Sequence, residues 1–91
     1  MRTVYKYPFE IDDLVALPMP AGAELLSVQM WGDTPCIWAI VDDNRERVLR
    51  GIAVRGTGHP MNGREGNFVG TIQMAGGRLV FHVFDAGEVD S

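Results

Sequence analysis

The sequence predicts an all-β protein, a small antiparallel β-sandwich or rolled sheet of about seven strands with no long helix. Three observations carry this. Short runs rich in Val, Ile, Tyr, Phe and Trp recur along the chain, divided by clusters of Gly, Pro, Asn and Asp. Several runs alternate apolar and polar residues, as a half-buried strand does. No window sustains an apolar stripe at the helical period with caps at its ends.

Strands are expected near residues 2–9, 13–18, 24–31, 36–42, 46–55, 67–74 and 78–84. The first, Thr3-Val4-Tyr5-Lys6-Tyr7, joins β-branched and aromatic residues and stops at Pro8. The second, Leu14-Val15-Ala16-Leu17, runs into the turn signal Pro18-Met19-Pro20-Ala21-Gly22. In the third, Leu26, Val28 and Met30 share one face while Ser27 and Gln29 share the other. The fourth, Cys36-Ile37-Trp38-Ala39-Ile40-Val41, is apolar on both faces, and so is Leu79–Phe84 apart from His82. Gly32-Asp33-Thr34-Pro35, Asp42-Asp43-Asn44 and Gly76-Gly77 supply further turns, and three of the short connections suit hairpins. Two doubly apolar strands in 91 residues need cover on both sides. A second sheet supplies it on one side, and a homo-oligomer contact is expected on the other.

The chain is read as one all-β domain over residues 1–85, followed by a flexible acidic tail at 86–91. A net charge of -4 argues against nucleic acid as a partner, because duplex binding draws its strength from phosphate neutralisation. No apolar run approaches the ~20 residues that span a bilayer, so no membrane partner is expected, nor a secretory signal at Met1–Pro8. A single cysteine, Cys36, forms no internal disulfide and suits a cytoplasmic setting.

The residues do not select an enzyme. Ser27 and Ser91 are the only serines, and Cys36 lies inside the most apolar run, where a thiol behaves as a small hydrophobe. No Cys-x-x-Cys, His-x-x-x-His or spaced carboxylate set marks a metal site, and no cofactor is expected.

The segment Arg45–Asn67 is the chemical exception. From Asn44 to Arg64 the chain holds five arginines (Arg45, Arg47, Arg50, Arg55, Arg64) against one acid, Glu46. Beside them runs a glycine-rich loop, Gly56-Thr57-Gly58-His59-Pro60-Met61-Asn62-Gly63-Arg64-Glu65-Gly66. Guanidinium forks match phosphate and carboxylate geometry, and closely spaced glycines let backbone amides approach an anion. A small anionic ligand is therefore expected, with Arg55, Thr57 and His59 holding phosphate and Arg47 or Arg50 giving a second charge. Trp31, whose same-face neighbours are Gln29 and Ser27, is expected to offer a stacking surface for a base. It equally suits a subunit interface. His82 is read as a satisfied structural histidine.

The ordered set Met19-Pro20-x-Gly22-Ala23, Leu26-x-Val28-Gln29 and Pro35-Cys36-Ile37-Trp38-Ala39-x-Val41-Asp42 resembles a family of small phage proteins without assigned function. Gly56-Thr57-Gly58-His59-Pro60, Gly70-Thr71-x-Gln73 and Val80-x-His82-Val83-Phe84 continue the likeness, which runs from Tyr5 to Asp85. The resemblance implies a phage origin and an all-β fold, and it supplies no catalytic residues. In size, acidity and β content the chain is also similar, by class and not by motif, to phage anti-defence proteins that soak up nucleotide second messengers. The expected function is sequestration of a cyclic oligonucleotide or cyclised ADP-ribose without turnover. The alternatives are a protein–protein inhibitor of a host enzyme and a minor phage structural or assembly protein.

Overall fold

A computed structural model describes residues 1–89. It contains β1 (Arg2–Pro8), β2 (Leu14–Pro20), β3 (Glu24–Trp31), β4 (Thr34–Asp42), β5 (Arg47–Gly56), β6 (Asn67–Met74) and β7 (Leu79–Val89), with a short 3-10 turn at Ala75–Gly77 before β7. The strands form two sheets, one ordered β1-β4-β3 and the other β2-β5-β7-β6, with every neighbouring pair antiparallel. The protein is a β-sandwich.

Only two connections are hairpins within a sheet, β3–β4 through Gly32-Asp33 and β6–β7 through the 3-10 turn. The turns at 21–23 and 43–46 instead carry the chain from one sheet to the other. They are tied together, since the Ala21 amide donates to the Glu46 carbonyl at 2.8 Å. The Asp42 carboxylate and carbonyl receive the amides of Asn44 and Arg45, which folds the second corner tightly.

Between the sheets lie Met19, Ile37, Val41, Ile52 and Val83, all essentially inaccessible, with Phe9, Val28, Ala39, Val54 and Ile72 around them. Each large aliphatic side chain removed from water in this way contributes about 1.5–3 kcal/mol. Ile37, Ala39 and Val41 of β4 face inward on one sheet, Ile52 and Val54 of β5 on the other. Gly70 of β6 lets the two sheets approach closely at Val28 of β3; a Cβ at Gly70 would stand 2.9 Å from a Val28 methyl group.

Three details differ from the sequence expectation. In β3 a bulge between Leu25 and Ser27 adds a residue and reverses the parity before it, so Leu25 packs on the core and Leu26 is exposed. β2 runs on through Pro18 and Pro20, which a strand tolerates at a sheet edge because no donor is needed on the open side. β7 continues past residue 85, the expected end of the domain, to Val89. A bulge at Ala86 keeps β7 in register with β5, where Gly51 faces Gly87, Arg50 faces Glu88 and Leu49 faces Val89. The rest of the expected tail, residues 90–91, lies outside the described residues.

Candidate functional site

Arg55 stands near the end of β5 and, by the alternation of that strand, on the outer face of its sheet beside Ala53. Two of its three guanidinium nitrogens are engaged. Nε donates to Glu65 Oε2 at 3.2 Å, while Nη1 donates to the carbonyls of Asp13 at 2.8 Å and Val54 at 2.9 Å. Glu65, in the loop between β5 and β6, is only 3% exposed. Its carboxylate also accepts the amides of Asn62 at 2.7 Å and Gly63 at 3.0 Å.

The Arg55 guanidinium, expected to meet a ligand phosphate, meets an internal anion instead: with the Asn62 and Gly63 amides it holds the Glu65 carboxylate. The Asn62 amide is the main influence holding that carboxyl below the ordinary range; its own amide and the Arg55 guanidinium add to this, against the upward push of burial. The loop is pinned at its far end as well. Gly66 has φ +91°, and a Cβ there would run into the Asp85 carbonyl oxygen of β7. Only glycine lets the loop cross β7 so closely.

At the near end, Thr57 donates its amide to the Val80 carbonyl at 3.2 Å and its hydroxyl lies 2.8 Å from His82 Nε2. The other ring nitrogen, Nδ1, lies 3.0 Å from the Thr71 hydroxyl of β6. His82 thus joins the loop to two strands as a satisfied histidine. His59 turns back over Gly56, its amide donating to the Gly56 carbonyl at 3.0 Å, and its side chain is exposed.

The loop and the segment before β2 enclose a cleft of about 810 Å3. Ile11, Leu14, Ala53, Met61 and Phe81 give it apolar lining; Asp12, Asp13, Arg55, His59, Asn62 and Arg64 give it polar groups. Among the described residues the Arg64 side chain enters no ion pair, although its amide is held by Asn62 Oδ1 at 2.8 Å.

The structure brings Arg55, Thr57 and His59 together at this end and separates the other expected contacts. Arg50 has the inward parity of Ile52 and Val54. Its Nε and Nη2 grip both Asp85 carboxylate oxygens at 2.9 and 2.7 Å, and Nη1 reaches the Ala23 carbonyl at 2.8 Å. Arg47 starts the strand that Arg55 nearly ends, roughly 25 Å away at strand rise. Trp31 ends β3, on the outer face of the other sheet, 61% exposed. There Lys6 Nζ lies 3.8 Å from its ring centroid, and Trp38 packs against it at 6.3 Å.

Two contacts at the expected site residues, Glu65 on Arg55 and Lys6 on Trp31, escape a reading of the sequence. Glu65 reads as one acid among glycines, and only its distance from Asn62 along the loop hints that it can reach back to the amides. Lys6 reads as a lone charge in β1; its cue is that strand alternation sets it on the same face as Trp38.

A family match over nearly all of its residues settles the grouping of this chain. It belongs to the family described as a domain of unknown function (DUF7352). The match covers residues 1–90. No curated protein and no solved structure matches the chain. Within this family assignment, no group of three or more His, Cys, Asp or Glu side chains that could hold a metal ion occurs among the described residues. Nor is any described helix long and apolar enough to cross a membrane.

Proposed function

We propose that this protein is a non-catalytic binding protein that holds a small nucleotide-like anion in the cleft beside the 57–66 loop. The observation that carries the reading is the cleft itself, about 810 Å3 with apolar lining and a cationic side chain, Arg64, in no ion pair among the described residues. Ligand pockets of this kind span about 300–1,000 Å3 and place a few polar groups around an apolar body. The charges also suit a ligand with two unlike ends. Arg64 and His59 can take a phosphate, while Asp12 and Asp13 can accept the exocyclic amino groups of a base.

In this reading Arg55 and Glu65 form the frame, and the ligand contacts pass to Arg64 and His59. Sub-micromolar binding needs about 8–10 kcal/mol, within reach of a charge-assisted phosphate contact, base burial and a wall already latched. The resemblance to small phage proteins, together with size and acidity, supports a phage-encoded sponge acting in the host cytoplasm to sequester a cyclic oligonucleotide or cyclised ADP-ribose.

Thermal shift against a panel of such nucleotides tests the reading. Binding raises Tm by mass action, by an amount that grows with ligand concentration. No shift with any nucleotide, together with capture of a specific host enzyme, favours the protein–protein inhibitor. One feature supports that second reading: Leu14 and Phe68 are each about 60% exposed on the outer face of the four-stranded sheet.

A further inference from the structure

A β-sandwich with open sheets has edge strands, and native proteins disarm them with prolines, bulges or charges. Three of the four edges here carry such devices. β2 contains Pro18 and Pro20. β3 is bulged between Leu25 and Ser27, and β6 between Phe68 and Gly70. The fourth edge, β1, is different. It pairs with β4 without interruption from Arg2 opposite Asp42 to Pro8 opposite Cys36, with no glycine, proline or bulge from Thr3 to Tyr7. Val4 is 52% and Tyr5 42% exposed.

Which backbone groups of β1 are free follows from the ends of the ladder. Phe9 donates its amide to the Pro35 carbonyl at 3.0 Å, and Asp43 donates to the Met1 carbonyl at 3.1 Å. Hydrogen-bonded pairs alternate along an antiparallel ladder, so the odd residues of β1 bond to β4. Arg2, Val4 and Lys6 then turn N–H and C=O to the open edge, and Pro8 turns a carbonyl alone. The one charge that could repel a partner strand at mid-edge, Lys6, is drawn onto the Trp31 ring on the outer face.

We propose that β1 pairs antiparallel with β1 of a second copy about a twofold axis at Tyr5, joining two three-stranded sheets into one continuous sheet. Charge and hydrogen bonding select this register. With the axis at Val4, Arg2 faces the partner's Lys6; with the axis at Lys6, the two lysines face each other. Like charges directly opposite are destabilising. With the axis at Tyr5, Val4 faces the partner's Lys6 and the two exchange both hydrogen bonds. Arg2 donates to the partner's Pro8 carbonyl, and the missing proline amide falls at the end of the ladder. The two Tyr5 rings become a non-hydrogen-bonded pair, the closer kind. This surface does not depend on the ligand reading, and the cleft lies away from it.

Sedimentation of the full chain at about 100 μM, which populates a complex of low-micromolar Kd, returns twice the 10.0 kDa chain mass. Val4→Pro removes an amide that points to the open edge and none that β4 uses, so it halves the mass with an unchanged circular dichroism spectrum. Tyr5→Cys locates the axis independently. Residues paired across it have Cα atoms about 4.5 Å apart, within the disulfide range of about 4.4–6.8 Å. Mild oxidation then gives a covalent dimer from Tyr5→Cys and none from Val4→Cys. A wild-type monomer at that concentration overturns the proposal. So does a dimer that survives Val4→Pro, or one that Tyr5→Cys fails to cross-link.

Discussion

Arg55 and Glu65 form a latch: Nε meets Oε2 at 3.2 Å, and the 3%-exposed carboxylate takes two loop amides as well. The loop is held by one acid that satisfies three donors. Glu65→Ala leaves the guanidinium and both amides without that partner, and a buried donor left unmade is costly. The expected outcome is a fall in Tm of roughly 5–10 °C. Limited proteolysis should then cut first between residues 57 and 66.

The second arginine pair separates structural from decorative charge. Arg50 and Asp85 side chains are 13% and 16% exposed and share two hydrogen bonds. Arg50→Ala strands the carboxylate and the Ala23 carbonyl, and should cost about 2–4 kcal/mol in urea unfolding. Arg47→Ala, at an exposed strand end, should stay within about 0.5 kcal/mol of wild type.

Acid should unfold the protein through these same groups. The Arg50 guanidinium, chiefly, holds Asp85 below the ordinary carboxyl range, and the Asn62 amide does the same for Glu65. A carboxyl with a depressed folded pKa stabilises the fold above its unfolded value, near 3.9 for Asp and 4.3 for Glu, and loses that effect as pH falls through the folded value. Tm should therefore hold between about pH 7 and 5 and drop below about pH 4. Asp85→Asn should start lower and show a shallower acid slope.

Tyr7 offers a gain. Its hydroxyl is buried with no hydrogen-bond partner among the described residues, and burial pushes its pKa up. Tyr7→Phe removes an unpaired polar atom and keeps the ring against the core. Stability should rise by about 1 kcal/mol, read as an increase in urea midpoint with unchanged slope.

The architecture was largely legible before the structure because period-two alternation and turn chemistry act locally. β4 and β5 face as their residues alternate. The failures come from single added residues and from long-range partners. One bulge moves Leu25 inward in place of Leu26, and another carries β7 past Ala86 to Val89. In the loop, the glycines and Arg55 suggest a site for an external anion, and composition does not reveal that Glu65 reaches back to Arg55 and to the Asn62 and Gly63 amides. Arg50 and Asp85 lie 35 residues apart, and no local pattern pairs them.

Calorimetric titration of the wild type and Arg64→Ala with the same cyclic nucleotides tests the central claim most directly. Arg64 is exposed and unpaired among the described residues, so its loss leaves the fold and its Tm unchanged. The account predicts sub-micromolar binding by the wild type and a loss of about 1.5–3 kcal/mol in Arg64→Ala, the range of a charge-assisted contact. Equal affinity in the two proteins, or no heat from any nucleotide with the wild type, would contradict it.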